Sequence, residues 1–296
     1  MSKDFISVII ITYNMGHLIS HALDSLRNQT RKDFEIIVVD NHSTDNTIQV
    51  INKYQDLKLS FLQITNNGIL SKSRNLGIRN AKGNWIAFLD ADDYWSNDKI
   101  EKLYECINKS ELNVVAISHG FEIKDIQKNK SFYKTPKIEH DLTRQLILGK
   151  NPFALTATTV RTRSLIEAGG FSEYKDYRTV EDYELWIRLS KLGEFKCLDE
   201  NLATIVLHEG NYSKKTDVQM KALDTLKDFY ILSYDGCSEF EKKVAYKNLY
   251  DLEARCLQKN GFFDEAKQII GISMSKRLFS LKMCLIYLLC EMRIKR

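Results

Sequence analysis

Only two prolines occur in the sequence, Pro136 and Pro152, so no proline-rich linker divides the chain. The six cysteines, at 106, 197, 237, 256, 284 and 290, form no CxxC and no paired spacing. That excludes a disulfide scaffold and fits free thiols in a reducing compartment. No run approaches the ~18 uninterrupted apolar residues of a membrane-spanning helix. The richest stretch, Met283–Cys290, is bounded by Lys282 and Glu291. The apolar run Phe5–Ile11 is too short for a secretory leader and has no small-residue cleavage site after it. The net charge is also small, +4 over 296 residues, but unevenly spread: residues 271–296 carry +5 and the remainder −1. A near-neutral body excludes a broadly basic nucleic-acid binder. What remains is an ordinary globular composition, 44% hydrophobic and 28% charged, with no internal repeat or low-complexity tract.

Residues 5–118 alternate two periodicities. Ser7–Thr12, Glu35–Asp40, Leu59–Gln63, Trp85–Leu89 and Asn113–Ser118 read as strands, the first, second and fourth as buried runs. Between them, Leu18, Ile19, Ala22, Leu23 and Leu26 mark one helix face, and Thr44–Tyr54, Leu70–Ala81 and Lys99–Lys109 read as further helices. Repeated β-α-β units predict an α/β fold with a mostly parallel sheet flanked by helices. Residues 119–150 read as a polar, mobile insertion. Phe153–Val160 reads as a strand, Ser164–Ala168 as a short helix, Tyr183–Leu192 as a helix and Leu202–Leu207 as a strand. From Asp217 the pattern is helical, including Asp217–Leu232 and Phe240–Gln258. The expected organisation is a domain over 1–215, with halves of about 1–118 and 119–215, and a helical extension over 216–296.

Polar residues gather where the strands end: Thr12-Tyr13-Asn14, Asp40-Asn41 and Asp90-Ala91-Asp92-Asp93. In an open parallel sheet the carboxyl ends of the strands share one rim, and ligands bind there. Clustered carboxylates on that rim suit a hard divalent cation bridged to phosphates; the bland alternative is a solvated acidic turn. Asp40 at a strand tip can accept the N3–H of uracil or thymine; helix capping is the competing job of Ser43-Thr44-Asp45. Glu181-Asp182 opens a helix, where the dipole favours the ionised carboxylate, and an ionised carboxylate beside a hydroxyl is a general base. Serving the dipole alone is the alternative. His208, after a strand, suits either a metal shell begun by Asp92 or a structural imidazole. Arg74 suits either a phosphate or carboxylate contact, or a solvated helix face.

In order, these stretches resemble a family 2 glycosyltransferase of GT-A fold. They are Ser7–Asn14, Asp33–Asp40 with Ser43-Thr44-Asp45, Ser73–Gly77, Gly83–Asp93, Gly169-Gly170-Phe171 and Glu181–Leu189. The resemblance covers about residues 5–215. It implies inverting, hexosyl-type transfer from a nucleoside diphosphate sugar, usually UDP. Thr12, Tyr13, Asn14 and Asp40 would surround the base, with Arg74, Asp90, Ala91 and Asp92 completing the nucleotide-sugar site. Asp92, with Asp90 and His208, would ligate Mn²⁺ or Mg²⁺. Asp182 would deprotonate the acceptor hydroxyl, Glu181 would help orient it, and Gly169, Gly170 and Phe171 would shape the acceptor pocket. Asn41 departs from the family, which often has a second acid there.

The implied role is building a surface polysaccharide of capsule or O-antigen type on a glycan or lipid-linked saccharide acceptor in a bacterial cytoplasm. The basic tail 276–296, with apolar residues from Leu278 to Leu289, is expected to rest on an anionic inner membrane face. Packing on the body or in a homodimer is the alternative for the tail. Two other functions compete. A sugar nucleotidyltransferase needs a Gly-rich basic loop after the first strand, and Thr12-Tyr13-Asn14-Met15-Gly16 has one glycine and no Lys or Arg. A degenerate sugar-nucleotide-binding or scaffold subunit has only Asn41 in its favour, because Asp90, Asp92 and Asp182 are all present.

Overall fold

A computed structural model describes residues 5–208, 225, 238–278 and 280–295. The chain divides into two compact units. The first comprises residues 1–138, 152–173 and 188–208, and the second 139–151, 174–187 and 209–296.

The first unit is built on a nine-stranded sheet. β1 (Ile6–Thr12) pairs in parallel with β2 (Phe34–Asp40) on one side and β4 (Trp85–Asp90) on the other, and β2 continues in parallel to β3 (Leu59–Gln63). β1, β2 and β4 are buried along almost their whole length, because helices cover both faces of a parallel sheet. This is why they read as continuous apolar runs. α1 (Ile19–Arg27) buries Ile19, Ala22, Leu23 and Leu26 completely, the residues its three- and four-residue spacing selects. α3 (Leu70–Asn80) lies close against β1: a Cβ on Gly77 would come within 2.6 Å of the Ile9 side chain.

Beyond β4 the sheet is mixed. β8 (Thr158–Arg161) runs antiparallel to both β4 and β6 (Val114–Asp125). β6 pairs in parallel with the long β9 (Glu194–Leu207), whose outer end takes the short β5 (Tyr94–Trp95) antiparallel. α4 (Lys99–Asn108) follows β5, and α6 (Thr162–Glu167) follows β8.

Three expectations change. The segment 119–150 is not a structureless insertion: β6 runs on to Asp125 and turns into β7 (Lys130–Lys134). β7 is exposed at every residue, so no buried face marked it in the sequence. The helix expected over Thr44–Tyr54 shrinks to α2 (Thr47–Ile51), because Ser43, Thr44 and Asp45 are held by cross-loop hydrogen bonds. The strand expected from Phe153 begins only at Thr158, after a 3-10 turn over Leu155–Ala157.

The second unit is helical. α5 (Leu142–Ile147) is N-capped by Asp141, and α7 (Glu181–Leu189) begins in this unit. α8 (Glu239–Asn260) starts with a capping box formed by Ser238 and Glu241 and ends at Gly261 in the left-handed region. Arg144 pairs with Glu241, and the Asn248 amide donates to the Leu148 carbonyl at 2.6 Å, so α5 is tied to α8. α9 (Phe263–Ser275) and α10 (Leu281–Glu291) complete a core of Tyr250, Ala254, Leu257, Ala266, Ile270, Leu278, Met283, Ile286 and Cys290. Part of the apolar tail expected to enter lipid is therefore spent inside this unit. The helix expected over Asp217–Leu232 falls outside the described residues. Among the described residues no helix is long and apolar enough to cross a membrane, and the five described cysteines are free thiols.

Candidate active site

Register builds the rim. In the parallel ladder Thr12 lies opposite Asp40, and Ile11 opposite Asp90. Three strands therefore end side by side, and each delivers its polar loop to one edge of the first unit.

The loops after β1 and β2 are laced together. Asn14 sits at φ 53°, and its backbone N–H donates to Ser43 Oγ at 2.9 Å while its side-chain oxygen accepts the Thr44 N–H at 2.8 Å. The N–H groups of Met15 and Gly16 donate to Thr47 Oγ1 and Asp45 Oδ2. Thr12 is buried, whereas Tyr13 is 51% exposed and available to stack on a ligand.

Asp40 is fully buried. Its carboxylate accepts Ser43 N–H at 3.0 Å, Ser43 Oγ–H at 2.5 Å and Gln63 Nε2–H at 3.1 Å. A carboxylate offers about four lone-pair directions, so one remains, on Oδ1. Asp40 thus shapes the loop, and a base contact from it requires a neighbour to move. Asn41, where the family often has an acid, uses its side-chain oxygen to accept Asn66 N–H at 2.9 Å.

Asp90 and Arg74 form an ion pair at 3.3 Å. Arg74 is 4% exposed, and its guanidinium lies 5.4 Å from the centroid of the Phe171 ring. The alternative of a solvated helix charge is therefore excluded. Next to Arg74, Asn75 clamps the Gly169-Gly170-Phe171 turn: its side chain accepts Phe171 N–H at 2.9 Å and donates to Phe171 O at 2.8 Å. Gly169 and Gly170 take φ values of 84° and 70°, and a Cβ on Gly170 would sit 2.8 Å from the Asn75 oxygen. Conformation favours glycine at both positions, and space requires it at Gly170.

Ala91 is buried within the acidic turn. Asp92 meets His208 directly, Nε2 to Oδ2 at 3.0 Å. The antiparallel β5–β9 pairing, Tyr94 opposite Thr204, brings the end of β9 to this turn. Burial raises the Asp92 carboxyl above its ordinary value, Asp90 adds to the rise and His208 opposes it. Among the described residues no three His, Cys, Asp or Glu side chains gather closely enough to hold a cation unaided. Asp90, expected to share the metal, pairs one of its oxygens with Arg74. The pair Asp92–His208 nevertheless fits Mn²⁺ or Mg²⁺, which are often held by one or two protein ligands and completed by substrate phosphates and water.

Sequence reasoning placed Asp93 with the acidic turn on the rim but not in a buried cluster, and it missed Lys99. Burial pushes the Asp93 carboxyl well above its usual range, helped by Asp92 and Asp90, and pushes the Lys99 ammonium well below its own, with Asp93 opposing. Lys99 opens a helix in a polar stretch, so nothing in the sequence marked it as buried.

In the second unit, Glu181 is buried and Asp182 half-buried at the start of α7. Asp182 Oδ1 accepts the Tyr183 N–H at 2.7 Å, and the Tyr183 hydroxyl donates to Leu146 O at 2.5 Å.

The Glycosyl transferase family 2 profile matches residues 7–170, which span the whole rim from β1 to the Gly-Gly turn. The chain belongs to this family. The amylovoran biosynthesis glycosyltransferase AmsB of Erwinia amylovora is 31% identical over 234 residues, covering 75% of this chain and 77% of AmsB. The UDP-Glc:alpha-D-GlcNAc-diphosphoundecaprenol beta-1,3-glucosyltransferase WfaP of Escherichia coli is 29% identical over 213 residues, covering 71% of this chain and 80% of WfaP. Among solved structures, S. aureus TarS 1–349 in complex with UDP-GlcNAc superposes with a TM-score of 0.65 at 21% identity, covering 99% of this chain and 90% of that one. That likeness is one of fold, and the fold is GT-A.

Proposed function

We propose that this glycosyltransferase moves a sugar, with inversion, from a UDP-sugar to a hydroxyl of a saccharide carried on a lipid, in the assembly of a surface polysaccharide. The observation that carries the reading is the alignment of Thr12, Asp40 and Asp90 on one sheet edge beside the Asp92–His208 pair. WfaP, whose name specifies UDP-Glc and a diphosphoundecaprenol-linked GlcNAc, supports the donor and acceptor classes.

Tyr13 stacks on the base, and Asp40 takes the imide N3–H on its remaining lone pair once the loop relaxes. Arg74 holds Asp90 toward the ribose side of the donor. Asp92 and His208 hold Mn²⁺ or Mg²⁺. Such a cation supplies positive charge against the charge that builds on departing UDP. Asp182 removes the proton of the acceptor hydroxyl as that oxygen attacks the anomeric carbon from the side opposite UDP. Glu181 orients this end of α7, and Gly169-Gly170-Phe171 lines the acceptor side. A sugar nucleotidyltransferase is disfavoured because the N–H groups of Asn14, Met15 and Gly16, which would cradle phosphate, are already bonded to Ser43, Thr47 and Asp45.

Screening UDP-, TDP- and GDP-sugars with Mn²⁺ for thermal stabilisation and slow hydrolysis tests the donor class. The expected result is stabilisation by UDP-sugars above the others. A larger response to GDP-sugars overturns the uracil assignment.

Peripheral membrane attachment at the cytoplasmic face completes the proposal. α10 leaves Leu281, Leu285, Leu288 and Met292 exposed at helical spacing, with Lys282, Arg293 and Lys295 nearby. Leu285→Ser/Leu288→Ser is expected to weaken co-sedimentation with anionic phospholipid vesicles by about 10- to 100-fold. Vesicle binding unchanged by the double substitution, or absent in the wild type, refutes the attachment. Loss of a homodimer instead would assign the stripe to a second copy.

A further inference from the structure

Beneath the acidic turn lies a buried polar cluster that the transfer chemistry does not itself require. Asp93 is 4% exposed and Lys99 fully buried. The Asp93 carboxylate accepts the Val206 N–H at 3.0 Å and the Thr156 hydroxyl. The Thr156 carbonyl in turn accepts Lys99 Nζ at 2.7 Å and Trp95 Nε1 at 3.1 Å. Lys99 Nζ also stands 3.6 Å from the centroid of the Trp95 ring. The neighbouring His119 is fully buried, with Nδ1 bonded to Gly120 O and Nε2 without a hydrogen-bond partner, so it contributes no counter-charge.

Burying a lysine and an aspartate is costly, and such groups persist where they are paired and hydrogen-bonded. The other lysines of α4 and its end, Lys102 and Lys109, are solvated. Asp93 and Lys99 are joined through Thr156, and what Asp93 touches explains the exception. Asp93 is adjacent to Asp92 and grips β9 at Val206, two residues before His208. The hydrogen bond from Val206 therefore adds to the β5 and β6 pairings in holding the end of β9 where His208 meets Asp92.

We infer that Asp93 and Lys99 are positioning residues for the divalent-cation site: Asp93 clamps β9 to the acidic turn, and Lys99 balances Asp93 within the apolar layer, so that Asp92 and His208 are held at the spacing a cation needs. The inference rests on the metal-site reading above. Groups behind metal ligands commonly change metal affinity about 10- to 100-fold when removed.

The test separates charge balance from the clamp. Thermal midpoints are measured without metal, and Mn²⁺ uptake in the presence of UDP is followed from the electron paramagnetic resonance of free Mn²⁺. The proteins are the full chain, Lys99→Met, Lys99→Met/Asp93→Asn and Lys99→Met/Asp93→Ala. Lys99→Met leaves a buried carboxylate without its counter-charge, and its midpoint is expected to fall by roughly 10 °C. Both double variants remove both charges, but only asparagine retains an acceptor for the Val206 N–H. The expected result is recovery of the midpoint in both and about 10- to 100-fold weaker Mn²⁺ uptake in the alanine variant alone. Equal Mn²⁺ uptake by the two double variants, or a Lys99→Met protein with unchanged midpoint and uptake, overturns the inference while leaving the metal site standing. A wild type that takes up no Mn²⁺ with UDP overturns the metal reading, and this inference falls with it.

Discussion

Asp182→Asn is expected to bind UDP and the donor sugar as the wild type does and to lose about 10²- to 10⁴-fold of kcat, the usual contribution of a general base. The substitution is nearly isosteric. Asparagine keeps a side-chain oxygen to accept the Tyr183 N–H that Asp182 Oδ1 accepts at 2.7 Å, so that local hydrogen bond is retained. What disappears is the negative charge that takes the acceptor proton. A helix N-terminus favours such a charge by about 0.3–1 kcal/mol. Steady-state kinetics with a saturating acceptor, beside a binding titration of UDP, separates the two effects. Turnover equal to the wild type sinks the base assignment. Loss of UDP binding together with turnover would mean that Asp182 serves the donor rather than the acceptor.

The parallel half of the sheet was legible because its central strands are buried on both faces. Ile6–Ile10 and Ile36–Val39 hide every side chain, so the runs are unbroken and helix patterns separate them. The rim was legible for the same reason: once those strands are parallel, Thr12, Asp40 and Asp90 must end together. β7 was not legible, because an exposed edge strand such as Lys130–Lys134 buries no face. The antiparallel insertion of β8 between β4 and β6 also leaves no local mark, because it is a choice of partners far apart in sequence. Of the site, the residue types were readable and their partners were not. Asp40 reads as a free acid at a strand tip, yet Gln63 and Ser43 fill three of its lone pairs. Asn75 reads only as part of the Ser73–Gly77 stretch, yet it closes both backbone hydrogen bonds of Phe171.

The second large effect belongs to Asp92→Ala. The substitution deletes the carboxylate that faces His208 at 3.0 Å and leaves a lone imidazole on the rim. Asp90 has one oxygen paired with the buried Arg74 at 3.3 Å, which limits how far it can compensate. Loss of one of two protein ligands is expected to weaken Mn²⁺-dependent UDP binding and to lower turnover by about 10²-fold or more, since the cation supplies several kcal/mol of charge stabilisation to the leaving diphosphate. Folding should survive: the Asp92 side chain is mostly buried, and burial disfavours its charged form, so alanine removes that cost. The distinction from Asp182→Asn is then sharp, because one variant loses the donor and the other keeps it without turning over.

Calorimetric titration of UDP into the wild type, with Mn²⁺ and then with a chelator, tests the central claim most directly. The account predicts saturable binding that depends on Mn²⁺ and is lost in Asp92→Ala. UDP binding of equal strength with and without metal, or binding that survives Asp92→Ala unchanged, would contradict a metal–nucleotide site built on Asp92 and His208.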